Sequence, residues 1–294
     1  MPDFQKQHVQ WFPGHMAKTR RLIRESLKLV DGVIEIVDAR IPRSSSNPEL
    51  AQLIGKKPKI VLLNKCDMAD PAVTDLWIKY YSENGITAIS VDCKTGKGLN
   101  QFHGACSKAL SSVIERNKEK GMAGKALRFM VVGIPNTGKS SFINRMAGKY
   151  KAVVADRAGV TKSNQWFSAG NGIELLDTPG VLWPKFEDRE VGDKLAFIGS
   201  VKDEVTDIET IACRLLETLA KTRPEMIAQR YKISGFEEKE SWEILEMIGR
   251  KRGFLIKGGE IDTLRAATAV CDEFRGGKLG KISLELPKNG LAIL

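Results

Sequence analysis

The sequence predicts an α/β fold, a mostly parallel sheet with helices on both faces, followed by a small all-α C-terminal domain. Three observations predict it. Short apolar runs alternate with amphipathic stretches up to about residue 190, and mainly helical periodicity follows. The 294 residues are 42% hydrophobic, which is enough for two cores. Strands that alternate with helices pair in parallel and are covered on both faces.

Five short runs rich in aliphatic and β-branched residues predict the strands, at 33–37, 59–63, 86–91, 127–132 and 173–176. Amphipathic stretches predict helices at 15–30, 71–82, 99–115 and 139–148. The polar and acidic stretch 183–193 is typical of a linker or mobile loop.

Beyond this stretch, helices are predicted at 207–221, 224–231, 238–250 and 260–274, with a short terminal strand at 281–286. We therefore predict two domains, 1–190 with a basic N-terminal segment and 191–294.

Composition limits the classes of function. No run of 18 apolar residues and no signal peptide occur, and five scattered cysteines without a C-x-x-C pair argue against zinc or disulfides. We therefore expect a cytoplasmic protein. The net charge is +10, with 31 basic and 22 acidic residues in 1–204 and 15 and 14 in 205–294. This excess fits a nucleic-acid partner or simply a basic enzyme.

The first chemical motif is the loop 133–140, GIPNTGKS, which matches G-x-x-x-x-G-K-[ST] between a predicted strand and a predicted helix. Its backbone N–H groups would surround phosphates, Lys139 would reach the β and γ oxygens, and Ser140 would ligate Mg²⁺. The alternative is a chance glycine turn. The predicted nucleotide-binding residues here are Asn136, Thr137, Gly138, Lys139, Ser140 and Ser141.

A second motif, DTPG at 177–180, follows the last predicted strand. Asp177 is predicted as a carboxylate on the Mg²⁺ side, and Gly180 as an amide that senses the γ-phosphate. Thr161, in a polar loop between the two motifs, would offer its hydroxyl to Mg²⁺. Taken alone, D-x-x-G also fits a simple turn, but its place 38 residues after Lys139 favours the functional interpretation.

Two further loops predict selection of the base. Asn64, Lys65, Cys66 and Asp67 form N-K-x-D after a predicted strand, and the Asp67 carboxylate would accept from guanine N1–H and the 2-amino group. The loop that begins with Asp92 and Cys93 follows the next strand, where an amide would meet guanine O6. The predicted ligands are therefore GTP and GDP.

The order of these motifs is unusual, because the base loops precede the phosphate loop. We interpret it as a circularly permuted P-loop GTPase domain, which is possible where the original termini lay close together.

Together, WFPGHMAK (11–18), DARIP (38–42), NKCD (64–67), GIPNTGKSS (133–141) and DTPGVLWPK (177–185) resemble the circularly permuted ribosome biogenesis GTPase A family of bacteria. The resemblance implies a cytoplasmic GTPase of late large-subunit (50S) assembly that binds ribosomal RNA and proteins. It also implies that His15 supplies the catalytic group, although His15 equally fits a helix cap or an RNA contact. Related loops hold K⁺ through the residue equivalent to Asn136, so K⁺ is a further expected cofactor.

Val181 stands where Ras-like GTPases carry a glutamine that orients water, so we expect slow hydrolysis that the ribosomal subunit stimulates. Two alternatives stay open: an RNA-binding switch with negligible hydrolysis, and a GTPase of another RNA process such as tRNA modification. We expect a monomer with no membrane or DNA partner. The predicted RNA contacts are basic residues of the first helix, of the stretch 116–128 after the helix predicted at 99–115, and of the loop around Thr161.

Overall fold

The computed structural model describes residues 14–148, 165–178, 188–201 and 207–287, and for residues 14–19 it describes the backbone alone. The described residues form two compact units. The sheet unit comprises 14–148, 165–178 and 283–287, and the helical unit comprises 188–201 and 207–282. Among the described helices, none combines the length and the apolar character needed to cross a membrane.

Six strands in the described residues form one sheet. They are β1 (Gly32–Asp38), β2 (Lys59–Asn64), β3 (Thr87–Ser90), β4 (Leu127–Gly133), β5 (Gln165–Ser168) and β6 (Ile173–Asp177), in the order β3-β2-β1-β4-β6-β5. All neighbours pair in parallel except β5 and β6. The mostly parallel sheet is thus confirmed. The sequence does not predict β5, whose one buried side chain, Phe167, is too weak a signal.

Helices follow the strands in the sheet unit. They are α1 (Gly14–Leu27), α2 (Leu50–Ile54), α3 (Pro71–Glu83), α4 (Phe102–Ala109), α5 (Ser111–Glu119) and α6 (Lys139–Met146). The prediction of one helix over 99–115 is wrong. A 3₁₀ turn at Leu99–Gln101 precedes α4, and the fully buried Leu110, whose backbone is not helical, separates α4 from α5.

The sheet is buried on both faces, as the alternation of side chains along β1 illustrates. Ile34 belongs to the same apolar cluster as Phe102 of α4 and Phe142 of α6. The neighbouring Val33 belongs instead to the cluster that contains α1. Val37, on the same face as Val33, packs with α3. Because every side chain of β1 is covered, apolar residues occupy both faces of the strand, interrupted only by the buried Glu35 before the strand ends at Asp38.

The helical unit consists of α7 (Arg189–Phe197), α8 (Ile208–Thr222), α9 (Pro224–Tyr231), α10 (Ser241–Arg252) and α11 (Thr263–Arg275). The helix α8 packs against the other four. The prediction of a loop over 183–193 is wrong in its described part, because Asp188 caps α7 through the Glu190 amide, 2.9 Å away. Residues 183–187 lie outside the described residues.

Residues 283–287, called the C-terminal segment below, pack with the sheet unit, whereas the sequence-based boundary assigns them to the second domain. The predicted strand at 281–286 is wrong, since no sheet partner pairs with these residues. One ladder-like bond remains, from the Leu284 amide to the Arg40 carbonyl at 2.8 Å. The indole N–H of Trp77 also donates a hydrogen bond to the backbone carbonyl of Glu285 at 3.1 Å.

Candidate functional site

The predicted site residues that the structure describes gather at one edge of the sheet. Asn64 ends β2, Gly133 ends β4 and Asp177 ends β6, while Asp92 follows β3. Parallel strands place their carboxyl ends at the same edge, which is where ligands bind in open α/β sheets. The sheet therefore brings together loops that are distant and permuted along the chain.

The phosphate loop, residues 133–140, runs from β4 into α6 with two residues in the left-handed region, Asn136 at φ 63° and Gly138 at φ 96°. A Cβ on Gly138 would lie 2.1 Å from the Asn64 amide nitrogen, so only glycine fits there. Thr137 is fully buried, and its hydroxyl donates to the Ile134 carbonyl at 2.9 Å. These contacts hold the loop in the compact shape that phosphate binding by backbone N–H groups requires.

Lys139 and Asp177 form a buried ion pair at the start of α6. Burial lowers the pKa of Lys139, and the charge of Asp177 and its hydrogen bond oppose that effect only in part. The adjacent Thr178 is anchored by its hydroxyl, which donates to the Val131 carbonyl at 2.7 Å. An ammonium and a carboxylate thus lie together beside the phosphate loop. The ammonium of Lys139 could pair with phosphate, and the carboxylate of Asp177 with a divalent cation.

Asn64 joins the three loops of the site. Its side-chain nitrogen donates to the Thr137 carbonyl at 2.7 Å, and its side-chain oxygen accepts from the Cys93 amide at 2.9 Å. Both bonds are buried, so this side chain braces the loops against one another. The guanine loop, residues 64–67, then turns at Lys65 with φ 60° and leaves the Asp67 carboxylate exposed.

The loop after β3, residues 92–96, is shaped by its own side chains. The Asp92 carboxylate accepts from the Lys94 amide at 2.8 Å and from the Thr95 hydroxyl. Cys93 is buried, and burial raises the pKa of its thiol. Arg145 of α6 donates to the Lys94 carbonyl. Asp92 and Cys93 are therefore structural members of this loop in the described geometry.

Several predicted residues have no described side chain. His15 lies in α1, where only its backbone is described, and Thr161 and Gly180 lie outside the described residues. The remaining predicted residues are described. Ser140 and Ser141 occupy the first turn of α6, and Cys66 is half-buried next to Asp67.

Sequence reasoning missed two side chains at this edge. Asp38 ends β1 and pairs with Lys65 at 3.1 Å, and Arg145 reaches the loop after β3 from α6. The signal for Asp38 is present in the sequence, because it follows an apolar strand in the same way as Asn64 and Asp177. Arg145 offers no such signal, since it is one basic residue in the last turn of a helix.

The comparisons with known proteins agree with this geometry. A family model described as 50S ribosome-binding GTPase matches residues 128–244. The ribosome biogenesis GTPase A of Priestia megaterium is 47% identical over 280 residues, which cover 95% of this chain and 97% of that protein. The ribosome biogenesis GTPase A of Thermotoga maritima is 34% identical over 281 residues, which cover 96% of this chain and 95% of that protein.

Two solved structures also match. GDP-bound YlqF aligns with a TM-score of 0.65 at 32% identity, over 91% of this chain and 99% of that chain. GNP-bound YlqF from T. maritima aligns with a TM-score of 0.64 at 31% identity, over 92% and 99%. Because relatives of this identity match nearly the whole chain and the motifs stand in the permuted order, this chain belongs to the ribosome biogenesis GTPase A family.

Proposed function

We propose that this protein is an assembly factor of the large ribosomal subunit that binds ribosomal RNA and proteins when GTP occupies its site. Family membership supports a GTPase in ribosome biogenesis. The single observation that carries the nucleotide assignment is the bridge by Asn64, which ties the guanine loop to the phosphate loop and to the loop after β3. A nucleotide bound here would contact the guanine loop with its base and the phosphate loop with its phosphates.

Guanine selectivity rests on Asp67. Its exposed carboxylate follows the braced Asn64 and is free of the packing that fixes its neighbours, so it is available to two donors on guanine. The phosphate loop supplies backbone N–H groups, and Lys139 supplies the charge for the β and γ oxygens. When nucleotide binds, the ammonium of Lys139 exchanges part of its contact with Asp177 for phosphate.

Mg²⁺ fits the same edge. Asp177 offers a carboxylate beside the phosphate loop and Ser140 offers a hydroxyl in the first turn of α6, and hard oxygen donors are what this ion requires. The bound ion would neutralise charge on the phosphate oxygens. Thr161 is proposed as a further ligand, and Gly180 as the amide that meets the γ-phosphate.

Hydrolysis is proposed to be slow without the subunit, because Val181 cannot orient water. His15, as a proton acceptor near neutral pH, is the proposed catalytic group, and K⁺ beside Asn136 would add positive charge near the transferred phosphate. Asn136 lies in the phosphate loop with a left-handed backbone, at φ 63°. We propose that the protein acts as a monomer in the cytoplasm.

The proposal is tested by changing the nucleotide that controls subunit binding. Asp67→Asn should exchange guanine for xanthine preference, by about 100-fold or more, since a buried polar mismatch is strongly discriminated against. The variant should then co-sediment with large subunits in a non-hydrolysable XTP analogue and not in the GTP analogue, the reverse of the wild type. Subunit binding that ignores the nucleotide in both proteins would contradict the proposal.

The competing function, a switch with negligible hydrolysis, is favoured by Val181 alone. Single-turnover hydrolysis with and without large subunits, in KCl and in NaCl at equal ionic strength, separates the two. We expect subunits to accelerate hydrolysis in KCl, and His15→Ala to remove most of that acceleration while GDP affinity stays unchanged. Equal rates in both salts would refute the K⁺ assignment, and no acceleration by subunits would favour the switch.

A further inference from the structure

A buried polar network connects the C-terminal segment to the guanine loop. Its centre is Asp38, at the end of β1, whose side chain is fully buried. One carboxylate oxygen accepts from the Arg40 backbone amide at 3.1 Å and from its Nε at 2.9 Å. The other accepts from Arg40 Nη2 at 2.8 Å and lies 3.1 Å from Lys65 Nζ.

These contacts keep Asp38 ionised. Burial alone would raise its pKa, but the charges of Arg40 and Lys65 and the hydrogen bonds from Arg40 outweigh burial and hold the pKa well below its ordinary value. A fixed buried carboxylate therefore faces the ammonium of Lys65 at neutral pH. Arg40 is itself buried and binds both oxygens of this carboxylate, and Lys65 shares one of those two oxygens with Arg40 Nη2.

The side chain of Lys65 in the guanine loop is held in place by its contact with Asp38. Its backbone is left-handed, an uncommon conformation for a residue with a Cβ, and its side chain is 21% exposed. A lysine side chain loses much rotamer freedom when it is held in one place, so a partner that fixes it beforehand removes that cost from ligand binding. Asp38 is such a partner.

The C-terminal segment holds the other side of the network. The Glu285 carboxylate is buried and accepts from the Arg43 amide at 2.8 Å, the Ser44 amide at 3.1 Å and the Ser44 hydroxyl. The Leu284 amide donates to the Arg40 carbonyl at 2.8 Å. Residues 241 positions apart in the chain thus fix the loop 40–44, which carries Arg40.

We propose that Asp38 and Glu285 are positioning residues for the guanine loop: the docked C-terminal segment holds Arg40 against Asp38, and Asp38 holds Lys65 in place for the nucleoside. The inference rests on the proposed function. It assigns a role in ligand affinity to a segment that follows the helical unit in the chain and contacts neither the phosphate loop nor the guanine loop directly in the described hydrogen bonds.

The test uses the full chain and two ligands, GDP and pyrophosphate, because only GDP engages the guanine loop. Glu285→Gln keeps the size of the side chain and removes its charge, and Leu284→Pro removes the amide that donates to Arg40. We expect each variant to release fluorescent GDP about tenfold faster in stopped-flow measurements, a change of the size that residues in one hydrogen-bond network commonly share. Pyrophosphate affinity, measured by calorimetry, should stay unchanged.

Glu35→Gln is the matched control. Glu35 is also buried on β1 and accepts from the Ser46 hydroxyl at 2.9 Å, the Asn47 amide at 2.8 Å and Lys59 Nζ at 3.0 Å, but it does not contact Asp38 or the guanine loop in the described bonds. This variant should lose stability without faster GDP release. Equal acceleration in Glu35→Gln and Glu285→Gln would mean a general loosening and would overturn the proposal.

A double-mutant cycle separates positioning from simple destabilisation. Lys65→Met should release GDP faster, and adding Glu285→Gln should then change little, because the effect of Glu285 passes through Lys65. Additive effects, or unchanged GDP release in both Glu285→Gln and Leu284→Pro, would overturn the proposal. Failure of the wild type to bind GDP would instead overturn the proposed function, and this inference with it.

Discussion

Asn64 uses both ends of its side-chain amide inside the protein. The bonds to Thr137 and Cys93 make Asn64 a brace among three loops, while Asp67 of the same motif is exposed and is the residue proposed to select the base. The close approach of Asn64 also explains why Gly138 carries no side chain. Motif residues that look equivalent in sequence therefore divide into braces and ligand-facing groups.

Cys66 provides a direct probe of the base site. It is half-buried, whereas the other four cysteines are buried, and burial raises the pKa of its thiol. The thiolate is the reactive form, so alkylation by iodoacetamide should be slow at neutral pH and should accelerate as pH rises toward the raised pKa. GDP at one hundred times its dissociation constant leaves about 1% of sites free. We therefore expect alkylation of Cys66, followed by mass spectrometry of its peptide, to slow at least about tenfold with GDP.

The control for this measurement is Cys66→Ala, which should remove the first alkylated peptide and leave the rest unchanged. Alkylation of Cys66 at one rate with and without GDP would place the nucleotide away from the guanine loop and contradict the site assignment.

At the scale of elements, the sequence predicts what depends on local pattern and misses what depends on distant contacts. The strand cores and α8 to α11 follow from apolar runs and helical periodicity, and they agree with the structure within a few residues. The strand β5 and the helix α7 were not predicted, since one is four residues long and the other starts in a polar stretch. The C-terminal segment could not be predicted, because its position depends on Glu285 meeting a loop 241 positions earlier in the chain.

In the candidate site, too, the sequence predicts the features that depend on local pattern and misses those that depend on distant contacts. The phosphate and guanine loops are predictable because each follows a strand and carries a motif. The network around Asp38 is not, because a buried ion pair between Asp38 and Lys65 requires knowledge that β1 and β2 are neighbours in register, with Asp38 opposite Asn64.

Within the helical unit, Glu273 of α11 ties together two other helices. Its carboxylate accepts from Arg230 of α9 at 2.8 Å and also pairs with Arg252 of α10 at 3.1 Å. Burial acts to raise the pKa of Glu273, but the hydrogen bond from Arg230 and the charges of both arginines lower it overall. A carboxylate with a lowered folded pKa stabilises the protein above its unfolded pKa of about 4.3, and this stabilisation is lost as pH falls through the folded value.

Glu273→Gln should therefore lower the free energy of unfolding of the helical unit by about 1–2 kcal/mol at pH 7, a modest value because the arginines are partly exposed. The loss should shrink below about pH 4. Urea denaturation followed by far-UV circular dichroism, to which the helices α7 to α11 contribute, measures it at both pH values. Glu238→Gln, at an exposed position of the same unit, is the control. An equal loss at pH 7 and pH 3 would exclude the ionised carboxylate as the cause.

At the scale of the whole molecule, the permuted order of motifs and the uneven charge become parts of one arrangement. A parallel sheet collects the ends of β1, β2, β3, β4 and β6 at one edge whatever their order in the chain, so permutation leaves the site intact. The basic excess lies in residues 1–204, which include every loop of that edge, while residues 205–294 are nearly neutral. Positive charge is thus concentrated in the part of the chain that carries the proposed nucleotide-binding loops.

The second half of α1 and the residue that follows it carry part of this basic charge. Arg20 pairs with Glu49 and Arg21 with Glu25, whereas Arg24 of α1 and Lys28, which directly follows this helix, are exposed. If this surface contacts ribosomal RNA phosphates, each lost contact lowers the slope of log K against log salt by about 0.7 to 0.9. The double variant Arg24→Ala, Lys28→Ala should therefore bind large subunits more weakly at low salt and show a slope smaller by about 1.4 to 1.8, measured by co-sedimentation in the GTP analogue across a KCl series.

The matched control replaces two exposed lysines of the near-neutral region, Lys278→Ala and Lys281→Ala, and should leave the slope unchanged. Because the nucleotide site is untouched in both variants, GDP affinity should stay equal to that of the wild type, and equal salt slopes in all three proteins would show that α1 does not face RNA.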